Sequence, residues 1–299
     1  MLTIFSVPKP FCGHIGIIQR NAIHSWSCLH PGCEIILCGN ELGTEEVAAE
    51  FKAQYIPNIA RNEYGTPLLN SVFDQVGQMS SHRLMCYVNA DIILLSDFIK
   101  AVQRIRFRTF LMVGQRWDID LAELWNFERT DWEEQLCRYV VDHGVLHPPA
   151  GSDYFVFPWD RVIGELPPFA VGRPGWDNWF IYRARKLGIP VVDVTRVVTV
   201  IHQNHDYSHV LDRRGEFWEG PEAERNRELM GDWNCNIFTP LDATHVMTSR
   251  ALLPALGHEY VRRRWQTLPI LVPSTRPLVR FVNTVKHRLW SQRRQVSSQ

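Results

Sequence analysis

The stretch "MCYVNADIILLSDF", residues 85–98, sets Asn89-Ala90-Asp91 between two apolar runs. A carboxylate enclosed this way must find a partner, a metal or a cleft, because an unpaired buried charge costs several kcal/mol or is lost. With its flanks, "RLMCYVNADIILL" (83–95) reads as one strong buried strand carrying Asp91 near its end, and Phe98–Ile105 as the helix after it.

Working outward from that strand, the same grammar repeats. Leu2–Val7 reads as a buried strand stopped by Pro8, and Ile15–Cys28 as a helix on the spacing of Ile15, Ile18, Ala22 and Trp26. "CEIILCG" (33–39) is a second strand, Glu45–Phe51 a helix, "AQYIPNI" (53–59) a short strand and Pro67–Met79 a helix. Alternation of this kind predicts an α/β fold with a mainly parallel sheet flanked by helices. Ligands of such sheets gather beyond the carboxyl ends of the strands. Further on, "TFLMVGQRWDID" (109–120) reads as a strand running into a loop. Asp131–His143 and Trp176–Leu187 read as helices, "DYFVFP" (153–158) as a strand, and 189–209 as one or two short strands breaking into a histidine-rich loop.

Lysine plus arginine equals aspartate plus glutamate at 32 each, so the overall charge makes no case for nucleic acid. Between Val261 and Arg294 the balance tips, with nine basic residues and no acidic one. Residues 276–295 space Leu278, Phe281, Val282, Val285 and Leu289 as a basic amphipathic helix. That predicts either peripheral contact with an anionic membrane or a helix packed on the domain with a solvated basic face. Seven scattered cysteines without a Cys-x-x-Cys pair suggest reduced thiols and a cytoplasmic setting. The amino terminus has neither a signal-peptide pattern nor a spanning apolar run.

Several polar residues stand where chemistry is expected. Asp91 is a hard oxygen donor suited to Mg²⁺ or Mn²⁺, with Asn89 on the same side of the strand; the plain alternative is a turn cap. His202 ends the apolar "VVTVI" run, opening "HQNHDYSH" (202–209), and from a neighbouring strand would meet the same ion as Asp91. Asp177 opens a helix after "GRPG", as a simple first-turn acid or as a general base facing a cleft. Gly151-Ser152 exposes Asp153 in the same way. Trp176 offers a flat face for a sugar ring, and the bend "NEYGTPLLN" (62–70) has backbone N–H groups suited to a phosphate.

In their order, "TIFSVPKPF", "EIILCGN", "NEYGTPLLN" and "YVNADIIL" resemble the GT-A glycosyltransferases, the nucleotide-diphospho-sugar transferase superfamily, over about residues 1–220. "GSDYFVFP", "PPFAVGRPGWDNW" and "IHQNHDYSH" are similar to those of a bacterial and plant group within it. The resemblance implies a GT-A, Rossmann-like transferase domain over 1–260 on a mixed, mainly parallel sheet, with a nucleotide-binding half (1–108), an acceptor half (109–260) and a basic, partly helical tail (261–299). It implies Ser6, Val7, Pro8, Asn40, Glu41, Asn62, Asn89 and Asp91 on the donor side, where Asn89-Ala90-Asp91 is an altered form of the family's Asp-x-Asp element. Asp91 and His202 would hold Mn²⁺ or Mg²⁺. Asp177 would be the base of an inverting transfer and Asp153 would position the acceptor, with Trp117, Trp176, His205 and Tyr207 around it. The partners implied are a nucleotide-diphospho-sugar donor and a glycan or other hydroxyl acceptor. Two rivals stand beside this reading. A sugar-1-phosphate nucleotidyltransferase needs a richer phosphate loop than "SVPKPFCGHIG" supplies, and a non-catalytic carbohydrate or nucleotide binder on a decayed transferase fold is favoured only by Asn89.

Overall fold

In the computed structural model, the described residues are 1–159, 165–205, 219–231 and 237–284. The chain divides into two compact units, Met1–Pro254 and Ala255–Gln299.

The alternating pattern of the first hundred residues builds β1 (Leu2–Ser6), α1 (Gly13–Leu29), β2 (Cys33–Cys38), α2 (Thr44–Glu50), β3 (Gln54–Ile56), α3 (Leu69–Met79) and β4 (Leu84–Val88). Then come β5 (Ile92–Leu94), α4 (Ser96–Arg104), β6 (Leu111–Val113), β7 (Trp117–Ile119), α5 (Trp132–His143), β8 (Val145–Leu146) and β9 (Tyr154–Pro158). The first unit closes with α6 (Trp176–Lys186), β10 (Val191–Asp193), β11 (Val200–Gln203), α7 (Pro221–Met230), β12 (His245–Met247) and β13 (Leu252–Pro254).

The larger sheet has the order β13-β12-β10-β6-β9-β4-β1-β2-β3. Its pairs are parallel except where β9 meets β4 and β6, and where β13 meets β12. Both faces are covered, which is why every residue of β1 is buried and why the strand reads as continuous apolar sequence. On one face Phe5, Tyr87, Phe155 and Phe157 meet Phe73 of α3 and Phe180 of α6 through ring contacts of 5.1–5.9 Å. The opposite face, with Leu2, Ile4, Cys86 and Val88, packs on Ala22, Ile23 and Trp26 of α1 and Phe98 of α4.

One finding differs from the sequence reading. The 83–95 run is not one strand: Ile92 N–H bonds Asn89 C=O at 3.2 Å, the chain turns at Asn89-Ala90-Asp91, and β5 leaves for a smaller sheet of order β5-β11-β7-β8. Its residues look like a continuation of β4 because that sheet is buried on both faces, Ile92 and Leu94 against the main core and Ile93 on the other side. β5 lies at an edge, and α1 satisfies its outward backbone groups: Trp26 Nε1 donates to Ile92 C=O (2.8 Å) and Leu94 N–H donates to Ser25 Oγ (3.1 Å). Within this mixed sheet β9 runs backward and so brings its first residues, not its last, to the carboxyl ends of its neighbours.

The second unit, described to residue 284, carries α8 (His258–Leu271) with Pro269 near its end. Leu256, Val261, Val272, Leu278 and Phe281 are exposed there, among Arg262, Arg276 and Arg280. No helix of the described residues is long and apolar enough to cross a membrane.

Candidate active site

From β1 the chain passes to β2 on one side, while β4 flanks β1 on the other. A crevice opens where strand order reverses in this way, beyond the carboxyl ends. Ser6-Val7-Pro8 end β1 there and Asn89-Ala90-Asp91 end β4. The reversed β9 delivers Ser152 and Asp153 to the same edge, with Asn89 N–H donating to Asp153 C=O at 2.8 Å.

The smaller sheet then adds the imidazoles. β11 runs antiparallel to β5, pairing His202 with Ile92, so His202 stands beside Asp91. Its Nε2 lies 3.8 Å from Asp91 Oδ2, and His205 Nε2 lies 3.1 Å from the same oxygen. Ligating atoms of Asp91, His202 and His205 all fall within 4.8 Å of one another. Asp91 Oδ1 is buried with no hydrogen-bond partner among the described residues. Burial alone would raise the Asp91 pKa, but the His205 contact and the charges of His202 and Lys9 carry it well below the usual carboxylate range. Burial lowers the Lys9 pKa, against the pull of Asp91. A carboxylate with one oxygen unspent beside two imidazoles fits a divalent cation of Mn²⁺ type, whereas Mg²⁺ favours a fuller oxygen set.

Around this trio lies a connected polar net. Asp118 on β7 is the register partner of His202, and its Oδ1 lies 3.2 Å from His202 Nδ1, off the line of a full hydrogen bond. Burial would lower the His202 pKa, yet Asp118 and Asp91 leave it raised. Arg116 Nε donates to Asp118 Oδ1 (2.9 Å), and its Nη1 donates to Asp153 Oδ2. His147 Nδ1 lies 2.7 Å from Asp118 Oδ2. Asn89 Nδ2 donates to Asp153 Oδ1 at 2.7 Å, so Asn89 is turned toward Asp153. Asp177, in the first turn of α6 after Gly175 (φ +106°), accepts from Ser152 N–H at 3.2 Å. Burial raises its pKa, assisted by the charge of Asp153 against the opposing backbone N–H bonds.

The remaining expected residues scatter more widely. Ser6 is fully buried and its Oγ has no hydrogen-bond partner among the described residues; Val7 is buried beside it. Asn40 and Glu41 are both bonded by Arg61 Nη2, at 2.6 and 2.8 Å. Asn62 folds its own bend, accepting from Tyr64 and Thr66 N–H, and donates to Glu222 Oε1 at 2.7 Å. Trp176 is only 6% exposed, edge-on to Tyr87 and Phe155 at 4.8 and 5.2 Å, so its indole is spent on the core instead of being offered to a sugar. Trp117 alternates with Asp118 along β7 and packs on the opposite face with Ile93, Ile119 and Ile201. His205, expected on the acceptor side, stands with Asp91. Tyr207 lies outside the described residues.

Sequence reading missed Asp118, Arg116 and His147, although the alternation in "QRWDID" does put Arg116 and Asp118 on one side of a strand. It also missed Gln203, fully buried, which donates to Ile18 and Asp91 carbonyls (2.8 and 3.1 Å) and accepts from Asn21 Nδ2 (2.9 Å). Gln203 thereby ties α1, the Asp91 turn and β11 together. No local signal separates it from an exposed loop glutamine.

No protein-family model matches the chain, and no curated protein matches it. Among solved structures it is similar to glucosyl-3-phosphoglycerate synthase from Mycobacterium tuberculosis in complex with Mg²⁺ and UDP, at 12% identity and TM-score 0.46, covering 77% of this chain and 78% of that one. TarS 1–349 of S. aureus in complex with UDP-GlcNAc gives 9% identity and TM-score 0.47, covering 79% and 72%. A mannosyltransferase of Pyrobaculum calidifontis in complex with GDP-Man and Mn²⁺ gives 10% identity and TM-score 0.43, covering 69% and 57%. At such identities the likeness assigns no residue a role.

Proposed function

We propose that the chain is a metal-dependent glycosyltransferase of GT-A type, moving a sugar from a nucleotide-diphospho-sugar to a hydroxyl acceptor. The observation that carries this reading is the meeting, at the switch point of the sheet, of Asp91 and its unspent carboxylate oxygen with His202 and His205. Asp91 and His202 would hold Mn²⁺ or Mg²⁺, with His205 as a third ligand, and the imidazoles favour Mn²⁺. A bound ion would neutralise the charge that develops on the departing diphosphate.

The chain's own groups supply the rest. Asp177 takes the proton of the acceptor hydroxyl as its oxygen bonds the anomeric carbon, and the pair of the breaking C–O bond leaves with the nucleoside diphosphate. Burial suits Asp177 to this, since a raised pKa makes a stronger base, worth roughly 10²–10⁴-fold in rate. Attack from the face opposite the leaving group makes the transfer inverting. Asp153, fixed by Arg116 and Asn89, orients the acceptor. Ser6, Val7 and Pro8, with Asn40, Glu41 and Asn62, would border the nucleotide. The transferase body would span 1–260, and the exposed apolar and arginine side chains of the tail support peripheral contact with an anionic membrane.

Thermal melts with UDP, GDP and other nucleoside diphosphates, each with and without Mn²⁺, test the reading. A rise in melting temperature that needs both nucleotide and metal is expected. Absence of any such rise, together with no hydrolysis of nucleotide-sugars under Mn²⁺, would reject it. Asp177→Asn should abolish transfer and keep the nucleotide-dependent rise; undiminished turnover moves the base to Asp153.

A further inference from the structure

We infer that Asp118, braced by Arg116, is a positioning residue that fixes the ring of His202 so that Nε2 faces Asp91; this rests on the metal reading above. An imidazole has two nitrogens, and the group beside one decides which is left to take a cation. Asp118 and His202 are paired directly across β7 and β11, two strands of one sheet, so their approach is set by backbone register and not by a flexible loop. His202 Nδ1 is buried and makes no full hydrogen bond among the described residues, and an Asp118 oxygen lies 3.2 Å from it. A carboxylate there demands the proton on Nδ1, and that puts the lone pair on Nε2, the nitrogen 3.8 Å from Asp91.

Asp118 is itself held on both oxygens. Arg116 binds Oδ1 and His147 lies at Oδ2 (2.7 Å), which stops the carboxylate from rotating away from the ring. The same guanidinium grips Asp153 with its other arm. One planar fork thus ties the strand carrying the His202 orienter to the residue at the head of β9. Lysine, a single point charge, cannot hold both carboxylates in that geometry.

The test uses the full chain with selectively ¹⁵N-labelled histidine. In the wild type, His202 is expected to show the Nδ1–H tautomer in long-range ¹H–¹⁵N spectra, and Asp118→Asn to lose it with an unchanged far-UV spectrum. Titration with MnCl₂ alone, followed by the electron paramagnetic resonance of free Mn²⁺, should give binding about 10–100-fold weaker in Asp118→Asn. Arg116→Lys should fall between the variant and the wild type, which keeps the inference testable if Asp118→Asn fails to fold. Wild-type binding of Mn²⁺ with equal affinity in both variants would overturn the positioning role and leave the metal centre standing. Failure of the wild type itself to bind Mn²⁺ would overturn the metal reading and this inference with it.

Discussion

Asp97 is a half-buried acid away from the proposed chemistry, and its replacement by asparagine should stabilise the protein at neutral pH. The residue sits in the first turn of α4; its Oδ2 accepts from Thr199 N–H at 2.8 Å, while Oδ1 is buried with no hydrogen-bond partner among the described residues. Burial pushes its pKa up from 3.8 to about 6, against the Thr199 bonds and with help from nearby Glu133. The folded state therefore binds the proton more tightly than the unfolded chain. Stability from this group is complete below pH ~4 and is lost as pH rises through ~6. The rise from 3.8 to about 6 corresponds to ~3 kcal/mol, which partial solvent access trims to ~1–2 kcal/mol. Asp97→Asn removes the ionisation while keeping shape and the Thr199 acceptor. Its melting temperature at pH 7.5 should exceed the wild type's by roughly 3–6 °C, on a scale of about 2–4 °C per kcal/mol for a unit of this size. Urea melts of both proteins from pH 4 to 8 should give a difference that vanishes near pH 4. A difference independent of pH, or a variant less stable at pH 7.5, refutes the reasoning.

Gln203→Leu removes three buried hydrogen bonds that join α1, the Asp91 turn and β11. At about 1 kcal/mol net for each it should cost ~2–4 kcal/mol in urea melts and weaken Mn²⁺ binding, and a loss below ~1 kcal/mol would show the ties to be dispensable. Glu222→Gln breaks the ion pair of a nearly buried carboxylate with Arg173 and disturbs the contact to Asn62. Because Arg173 keeps some solvent access, the cost should fall near the low end of ~3–5 kcal/mol, and an unchanged denaturation midpoint contradicts it. Asp91→Asn should abolish the Mn²⁺-dependent part of any nucleotide-induced thermal shift while leaving the fold intact; a full shift in that variant would place the ion elsewhere. Removal of residues from 274 onward should reduce pelleting with phosphatidylserine vesicles and leave pelleting with neutral vesicles unchanged, and equal pelleting of both chains rejects the membrane contact.

Local pattern alone determined a good deal of this protein. β1, β2 and β4 are apolar runs closed by Pro8, Gly39 and Asn89, and α1 and α3 bury one face each, so period and punctuation reveal them without any partner. Asp91 and His202 likewise stand out, as polar residues at the ends of greasy segments. Tertiary pairing decided the rest. Whether "NADIILL" continues a strand or turns into a second sheet depends on what covers each face, and both sheets cover two. The reversal of β9, which carries Asp153 to Asn89, is a choice among neighbours distant in sequence. Asp118 faces His202 only through the register of β7 on β11, where a slip of one residue would have presented Trp117 or Ile119 in its place. Trp176 looked available beside a glycine turn, but two aromatic rings from other strands had already enclosed it. Short-range chemistry writes the elements into the chain; the side of a strand that meets another is set by contacts between residues far apart, and single-residue order does not encode those.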